Sequence, residues 1–310
     1  MYFRNNIFRL FTENVRYSFF QRNQVKNYLF LTISRRALLA YTLNVLRTYN
    51  IRPKKRLSQN FVIDPSLIGK ILTRIKNCNY RKVLEIGGGI GTLTLLLSNV
   101  AEEVVTVEVD KKLITVLEKE VASKRSNVKV VHGDILKVYK ELGSFDAVVS
   151  NIPYHISSKV LFILTEMTFR EALLTFQKEF ADRLLARPDG ADYGRLTVMA
   201  NFYFDIEYLG TYPPTSFYPP PKVYSTLISL KKKTIHIDVP LEFFQDTVRK
   251  LFTLKNRTLR TVLKNIIPAD KYTSELSSEL KKYMKRRVRS LSLGELIEIT
   301  SILYKHVKGS

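Results

Sequence analysis

Asn151-Ile152-Pro153-Tyr154 brings together groups suited to one kind of chemistry, the alkylation of an amine attached to an aromatic ring. The lone pair of such an amine is delocalised into the ring, so it attacks poorly. Two hydrogen-bond acceptors on its hydrogens favour a pyramidal nitrogen and stabilise the positive charge that grows there. The side-chain carbonyl of Asn151 and the main-chain carbonyl of Ile152 can be those acceptors. Pro153 stiffens the turn that aims them, and Tyr154 offers a face for the ring to stack on. No strong general base is needed, because the alkylated nitrogen is acidic until it loses its proton. The competing reading is an ordinary β-turn after a strand.

A second cluster could hold the electrophile. Glu85-Ile86-Gly87-Gly88-Gly89-Ile90-Gly91 follows a short apolar run and precedes a helical one. Glycines at such a turn let the backbone bend sharply and approach a ligand with no Cβ in the way. The spacing does not match the dinucleotide fingerprint: counting from Gly87 or from Gly89, the third required small residue is Thr92 or Thr94. Glu108, about twenty residues further on, can accept both hydroxyls of a ribose, or be a solvated strand-end carboxylate. Asp134, in His132-Gly133-Asp134, is either a turn residue or an acceptor for an adenine amine. Phe217 precedes Tyr218-Pro219-Pro220-Pro221. That stiff run can hold Phe217 as the other half of an aromatic clamp with Tyr154, the alternative being a core aromatic beside a rigid loop.

The elements that must position these residues read as an α/β fold. Short apolar runs at 83–86, 104–109, 128–131, 145–150 and 172–176 alternate with helical stretches such as 93–99 and 111–124. Strands separated by helices imply parallel βαβ units and a Rossmann-like, doubly wound sheet. A final pair, 202–212 and 224–230, has a Pro-rich loop and no helix between, which predicts an antiparallel end to the sheet. Beyond Lys231-Lys232-Lys233 the pattern predicts helices over 241–263, 274–283 and 293–304. Three parts follow: an extension over 1–50, an α/β domain over 51–235 and a small C-terminal helical domain over 236–310.

Composition points to a polyanionic partner. Fifty Lys and Arg face 28 acids, a formal net charge of +22. The basic runs Lys54-Lys55-Arg56, 255–260 and 281–289 can neutralise phosphates without reading sequence. A single cysteine, Cys78, excludes an internal disulfide and a cysteine-based zinc site, and the four histidines lack metal-ligand spacing. No metal is expected, and no apolar run reaches the roughly 18–20 residues that span a bilayer.

The glycine series preceded by Glu85 resembles motif I of class I S-adenosylmethionine methyltransferases, and Asn151–Tyr154 resembles the motif of those that methylate exocyclic amines of bases. From about Lys55 to the C-terminus the chain resembles the small-subunit ribosomal RNA adenine N6-dimethyltransferases of the KsgA type. Leu57-Ser58-Gln59-Asn60-Phe61-Val62, Gln177-Lys178-Glu179-Phe180-Ala181-Asp182-Arg183 and Tyr193-Gly194-Arg195-Leu196-Thr197-Val198 carry the likeness, the last two closest in wording to archaeal members. The resemblance implies S-adenosylmethionine as cofactor. It implies that Gln59, Asn60, Val62, Gly87, Gly89, Glu108, Asp134 and Asn151 lie against that cofactor, with Asp134 on its adenine amine. It implies Asn151, Ile152, Pro153, Tyr154 and Phe217 at the target base, and transfer of two methyl groups to each of two adjacent adenosines near the 3′ end of small-subunit rRNA. The partner would be the assembling small ribosomal subunit, met by a cytoplasmic monomer. Gly88 stands where many members have proline.

Two rival functions share these motifs. One is a large-subunit rRNA adenine methyltransferase of the erythromycin-resistance type; Tyr193-Gly194-Arg195-Leu196 and the triple proline favour the small-subunit reading. The other is a mitochondrial transcription factor or assembly factor derived from the family. The segment before Ile51 holds seven arginines and one acid, Glu13. Such a segment suits an organelle-targeting sequence, which would make the location mitochondrial, a helical RNA-binding extension, or a misplaced start.

Overall fold

A computed structural model describes residues 33–308 of the chain. Two compact units divide it: residues up to Lys178 together with Tyr208–Leu230, and Glu179–Glu207 together with the chain from Lys231 onward.

The first unit is built on a seven-stranded sheet of order β4-β3-β2-β5-β6-β9-β7. Its strands are β2 (Lys82–Ile86), β3 (Glu103–Glu108), β4 (Val128–His132), β5 (Ala147–Asn151), β6 (Glu171–Gln177), β7 (Phe204–Tyr212) and β9 (Ser225–Lys232). β2 pairs in parallel with β3 and with β5, β3 with β4, and β5 with β6. The chain reverses direction across the sheet between β2 and β5, the place where open α/β sheets bind ligands beyond their carboxyl ends. β2 and β5 read as unbroken apolar runs because both faces are covered: Val83, Leu84, Ala147, Val148 and Val149 are all fully buried. A separate two-stranded ribbon pairs β1 (Phe61–Val62) with β8 (Phe217–Tyr218), antiparallel, setting Val62 opposite Phe217.

Part of the expected extension is a folded element of this unit. Arg35–Thr48 is a helix whose Ser34 side chain caps it by accepting from the Ala37 amide. Leu38, Tyr41, Thr42, Val45 and Leu46 are buried at helical spacing, one apolar stripe facing the core. Residues 1–32, with most of the arginines, lie outside the described residues.

The second unit begins earlier than the composition shift suggests. Tyr193, Val198 and Phe202 share a buried core with Phe244, Leu259, Leu296 and Leu303, which is why residues 179–207 belong here rather than with the sheet. Tyr193 anchors that core through its hydroxyl, donated to the Leu291 carbonyl at 2.7 Å, and Thr197 accepts from the Gly194 amide at the start of the helix Arg195–Tyr203. The helix expected over 241–263 is two, Leu241–Thr253 and Leu259–Ile266. Thr258, whose side chain caps the second, breaks the run. The segments around Thr258 and Arg287 then run antiparallel, Leu259 donating to the Arg286 carbonyl and Val288 to that of Arg257. Two basic runs far apart in sequence are thereby joined.

Candidate active site

The cavity of the first unit opens at the carboxyl ends of β2, β3 and β5, and its wall includes Gln59, Asn60, Val62, Gly87, Gly89, Glu108, Asp134 and Asn151. All eight residues expected to meet a cofactor are therefore brought to one place. The turn Gly87–Gly91 requires glycine where φ is positive, at +80° for Gly87, +59° for Gly89 and +83° for Gly91. A Cβ on Gly87 would meet no neighbouring atom, whereas on Gly91 it would come within 2.5 Å of Val121. Gly87 thus leaves open room on the cavity side while Gly91 permits close approach of the helical segment Leu117–Val121.

Glu108 is buried, and its carboxylate accepts from the amides of Gly89 (3.0 Å), Val109 (2.8 Å) and Asp110 (2.9 Å). Burial pushes its pKa up, and those three amides oppose the rise. One oxygen takes two of the bonds; the other takes only Gly89 and keeps acceptor capacity for a ribose hydroxyl. Asp134 caps the helix Ile135–Val138, accepting from the Leu136 amide at 3.0 Å through one oxygen. Its second oxygen takes no donor among the described residues, so the turn role leaves an acceptor available for the expected ligand role.

The segment 54–60 is pinned over this pocket. Gln59 accepts from the Lys54 amide at 2.8 Å and donates to Asp110 at 3.0 Å, and the Lys54 ammonium lies 2.7 Å from the same carboxylate. Burial would raise the Asp110 pKa, but Lys54, Gln59 and the Lys112 amide together hold it below its usual value. Lys54 is therefore engaged in an ion pair within the molecule, while Lys55 and Arg56 stay exposed.

Asn151 ends β5 and faces the cavity. Its amide nitrogen donates to the Asn60 main-chain carbonyl at 2.7 Å. That bond fixes the direction of the other end: Oδ1 is buried and has no partner among the described residues. An unpaired buried acceptor costs roughly 1–3 kcal/mol, a cost relieved by any ligand that brings an N–H. The Ile152 carbonyl also takes no donor among the described residues, and its amide is held by Thr175 at 3.2 Å. Two free acceptors thus sit on successive residues. Tyr154 is braced by Ser225, hydroxyl to hydroxyl at 2.8 Å, and burial raises its pKa.

Phe217 is placed differently from the clamp expected of it. It is 2% exposed, within the main core cluster that also holds Val62, and does not line the cavity. Pairing of β8 with β1 seats it in the core, so the alternative of a core aromatic beside a rigid loop describes its position; of the motif itself, Asn151 and Pro153 line the cavity while Ile152 and Tyr154 do not. Sequence reasoning also misses Ser225, Lys54 and Asp110 as positioning groups; only Asp110, next but one to Glu108, carries any signal.

The cofactor expectation passes its structural test, since an open cradle at Gly87, an acceptor on Glu108 and an unengaged oxygen on Asp134 suit a cationic, ribose- and adenine-bearing ligand. Among the described residues no group of His, Cys, Asp or Glu converges to hold a metal. The model of the family described as "Ribosomal RNA adenine dimethylase" matches residues 50–305. The chain belongs to that family. It is 34% identical over 272 residues to the "Probable ribosomal RNA small subunit methyltransferase A" of Methanosphaera stadtmanae, covering 86% of this chain and 98% of that one. A crystal structure of a dimethyladenosine transferase from Plasmodium falciparum superposes with a TM-score of 0.70 at 28% identity, over 79% of this chain and 98% of the other. The 23S rRNA methyltransferase ErmE gives 0.58 at 27% identity, over 80% and 100%. The fold is that of a class I S-adenosylmethionine methyltransferase, and S-adenosylmethionine is the cofactor of this rRNA adenine methyltransferase.

Proposed function

We propose that this protein transfers methyl groups to N6 of two adjacent adenosines near the 3′ end of small-subunit rRNA, giving N6,N6-dimethyladenosine, and that it acts as a cytoplasmic monomer on the assembling small subunit. The observation that carries the reading is the orphaned, buried Oδ1 of Asn151, the opposite end of an amide whose Nδ2 is held by Asn60. When bound, S-adenosylmethionine supplies a sulfonium methyl, an electrophile that needs no further activation. Asn151 Oδ1 and the Ile152 carbonyl accept from the two N6 hydrogens, so the nitrogen lone pair turns out of the ring plane toward that methyl. As the N–C bond forms and the S–C bond breaks, the same acceptors stabilise the charge on nitrogen. The proton then leaves to water, and the second transfer repeats the sequence with one hydrogen fewer to hold. Tyr154, steadied by Ser225, stacks on the base once it has left its helix.

The rRNA grip falls to the second unit. Arg257, Arg260, Lys285 and Arg287 are exposed along the joined basic segments, a footprint for phosphates on a folded RNA whose shape and unpaired bases set specificity. The favoured small-subunit target draws its support from the family match and the Methanosphaera relative. The test is mass spectrometry of both rRNAs methylated with isotopically labelled cofactor, offered naked and as 30S-like particles. Two neighbouring dimethyladenosines in the small-subunit RNA are expected. Label confined to the large-subunit RNA would overturn the target in favour of the ErmE-like activity.

A further inference from the structure

The helix Arg35–Thr48 precedes the residues matched by the family model and lines no part of the cavity, yet it stands directly behind the cavity wall. Tyr41, Val45 and Leu46 form one buried cluster with Phe61, Ile90 and Leu113, and those last three residues are themselves wall residues. The wall and the helix therefore share one buried cluster. The Tyr41 hydroxyl also donates to the Ile90 main-chain carbonyl at 3.3 Å, within the glycine turn. Gly87, Gly88, Gly89 and Gly91 bring no side chains to pack, so Ile90, 1% exposed, is the turn's side-chain anchor in the core. Tyr49, just past the helix, donates to Glu120 at 2.6 Å and fixes the far end against the segment after β3.

We propose that this helix is the backing of the cofactor pocket, with Tyr41 and Val45 acting as positioning residues that hold the glycine turn in its binding shape. Neither touches the cofactor; both act through Ile90. The inference concerns cofactor binding alone and does not depend on which RNA is methylated, so its test is run without RNA.

The decisive pair of variants is Tyr41→Phe, which removes only the hydroxyl, and Val45→Ala, which opens space behind Ile90. A matched control is Val248→Ala, a fully buried valine of the second unit's core. Titration calorimetry with S-adenosylmethionine and S-adenosylhomocysteine is expected to give a Kd raised about twofold to fourfold for Tyr41→Phe, the hydrogen bond being a long one. For Val45→Ala the rise is expected to be roughly tenfold. Amide hydrogen exchange at Gly89–Leu93 in the cofactor-free protein should quicken in both. Steady-state rates should show a raised KM for cofactor with kcat at saturation within about twofold, because the backing acts on binding and not on the transfer step. An unchanged Kd in Val45→Ala overturns the proposal. So does an equal rise in Val248→Ala at the same loss of melting temperature, since that would make the effect general loosening.

Discussion

Glu85 lies at the end of β2, 2% exposed, and Thr94 donates its hydroxyl to the carboxylate. Burial lifts its pKa from 4.5 to about 8 despite that hydrogen bond. A carboxyl whose folded pKa lies above its unfolded one stays protonated in the native state while the unfolded chain ionises. Its contribution to stability is complete below about pH 4.5 and is lost as the pH rises toward 8. Each pH unit in that window removes about 1.4 kcal/mol, so roughly 3 kcal/mol is gone by about pH 7. Glu85→Gln keeps the shape and the acceptor for Thr94 but does not titrate. Its buried amide hydrogens add a penalty that does not vary with pH, so the slope carries the information and the offset does not. Denaturant unfolding of the cofactor-free wild type and variant, from about pH 5 to about pH 8, cancels every other titrating group common to both. The variant should gain on the wild type by roughly 3 kcal/mol or more across this range, equivalent to about 6–12 °C in melting temperature at 2–4 °C per kcal/mol. A difference that stays flat with pH would mean that Glu85 ionises normally in the native protein, and the account of its burial would be wrong.

Other outcomes follow from the same geometry. Asn151→Ala should lower kcat by roughly a hundredfold to a thousandfold, with RNA and cofactor affinities within about threefold by filter binding and calorimetry; near-normal turnover would remove the amine-orienting role. A Cβ on Gly88 would collide with Thr106 Oγ1, so Gly88→Ala should cost about 1–3 kcal/mol in unfolding free energy, and Thr106→Ala should recover most of it in a double-mutant cycle. Replacing Arg257 and Arg287 by alanine should flatten the dependence of log K on log salt for rRNA by nearly one unit for each phosphate no longer neutralised; an unchanged slope would place the RNA elsewhere. Tyr154→Phe should retain activity within about fivefold while Tyr154→Ala falls much further, since stacking needs the ring and the Ser225 bond only steadies it.

The parts of the fold visible in the sequence are those governed by local pattern. β2, β3 and β5 announce themselves as apolar runs, and the glycine turn and Asn151–Tyr154 follow them at strand ends, where α/β sheets bind their ligands. Tertiary pairing is not visible. Residues 179–207 look like a continuation of the sheet domain until Tyr193 and Phe202 are seen in the helical core. Phe217 reads as a clamp beside prolines until β8 pairs with β1 and seats it in the core. The helix Arg35–Thr48 does carry a signal, the stripe Leu38, Tyr41, Val45, but the arginines around it mask an apolar pattern with charge. The antiparallel pairing of Thr258 with Arg287 is a long-range event that no window of sequence contains.

The bond from Asn151 Nδ2 to the Asn60 carbonyl has a consequence for the order of events. An amide has two ends of opposite polarity, and rotation by half a turn would present NH2 to the incoming base in place of oxygen. Two donors would then confront each other, and the adenine would be repelled. In the proposed reaction, then, the polarity of the amide that meets the base is set by a loop that also lines the cofactor cavity. On that reading a loose 54–60 segment would leave the amide free to turn, so the donor side would have to be in order before the acceptor side became selective.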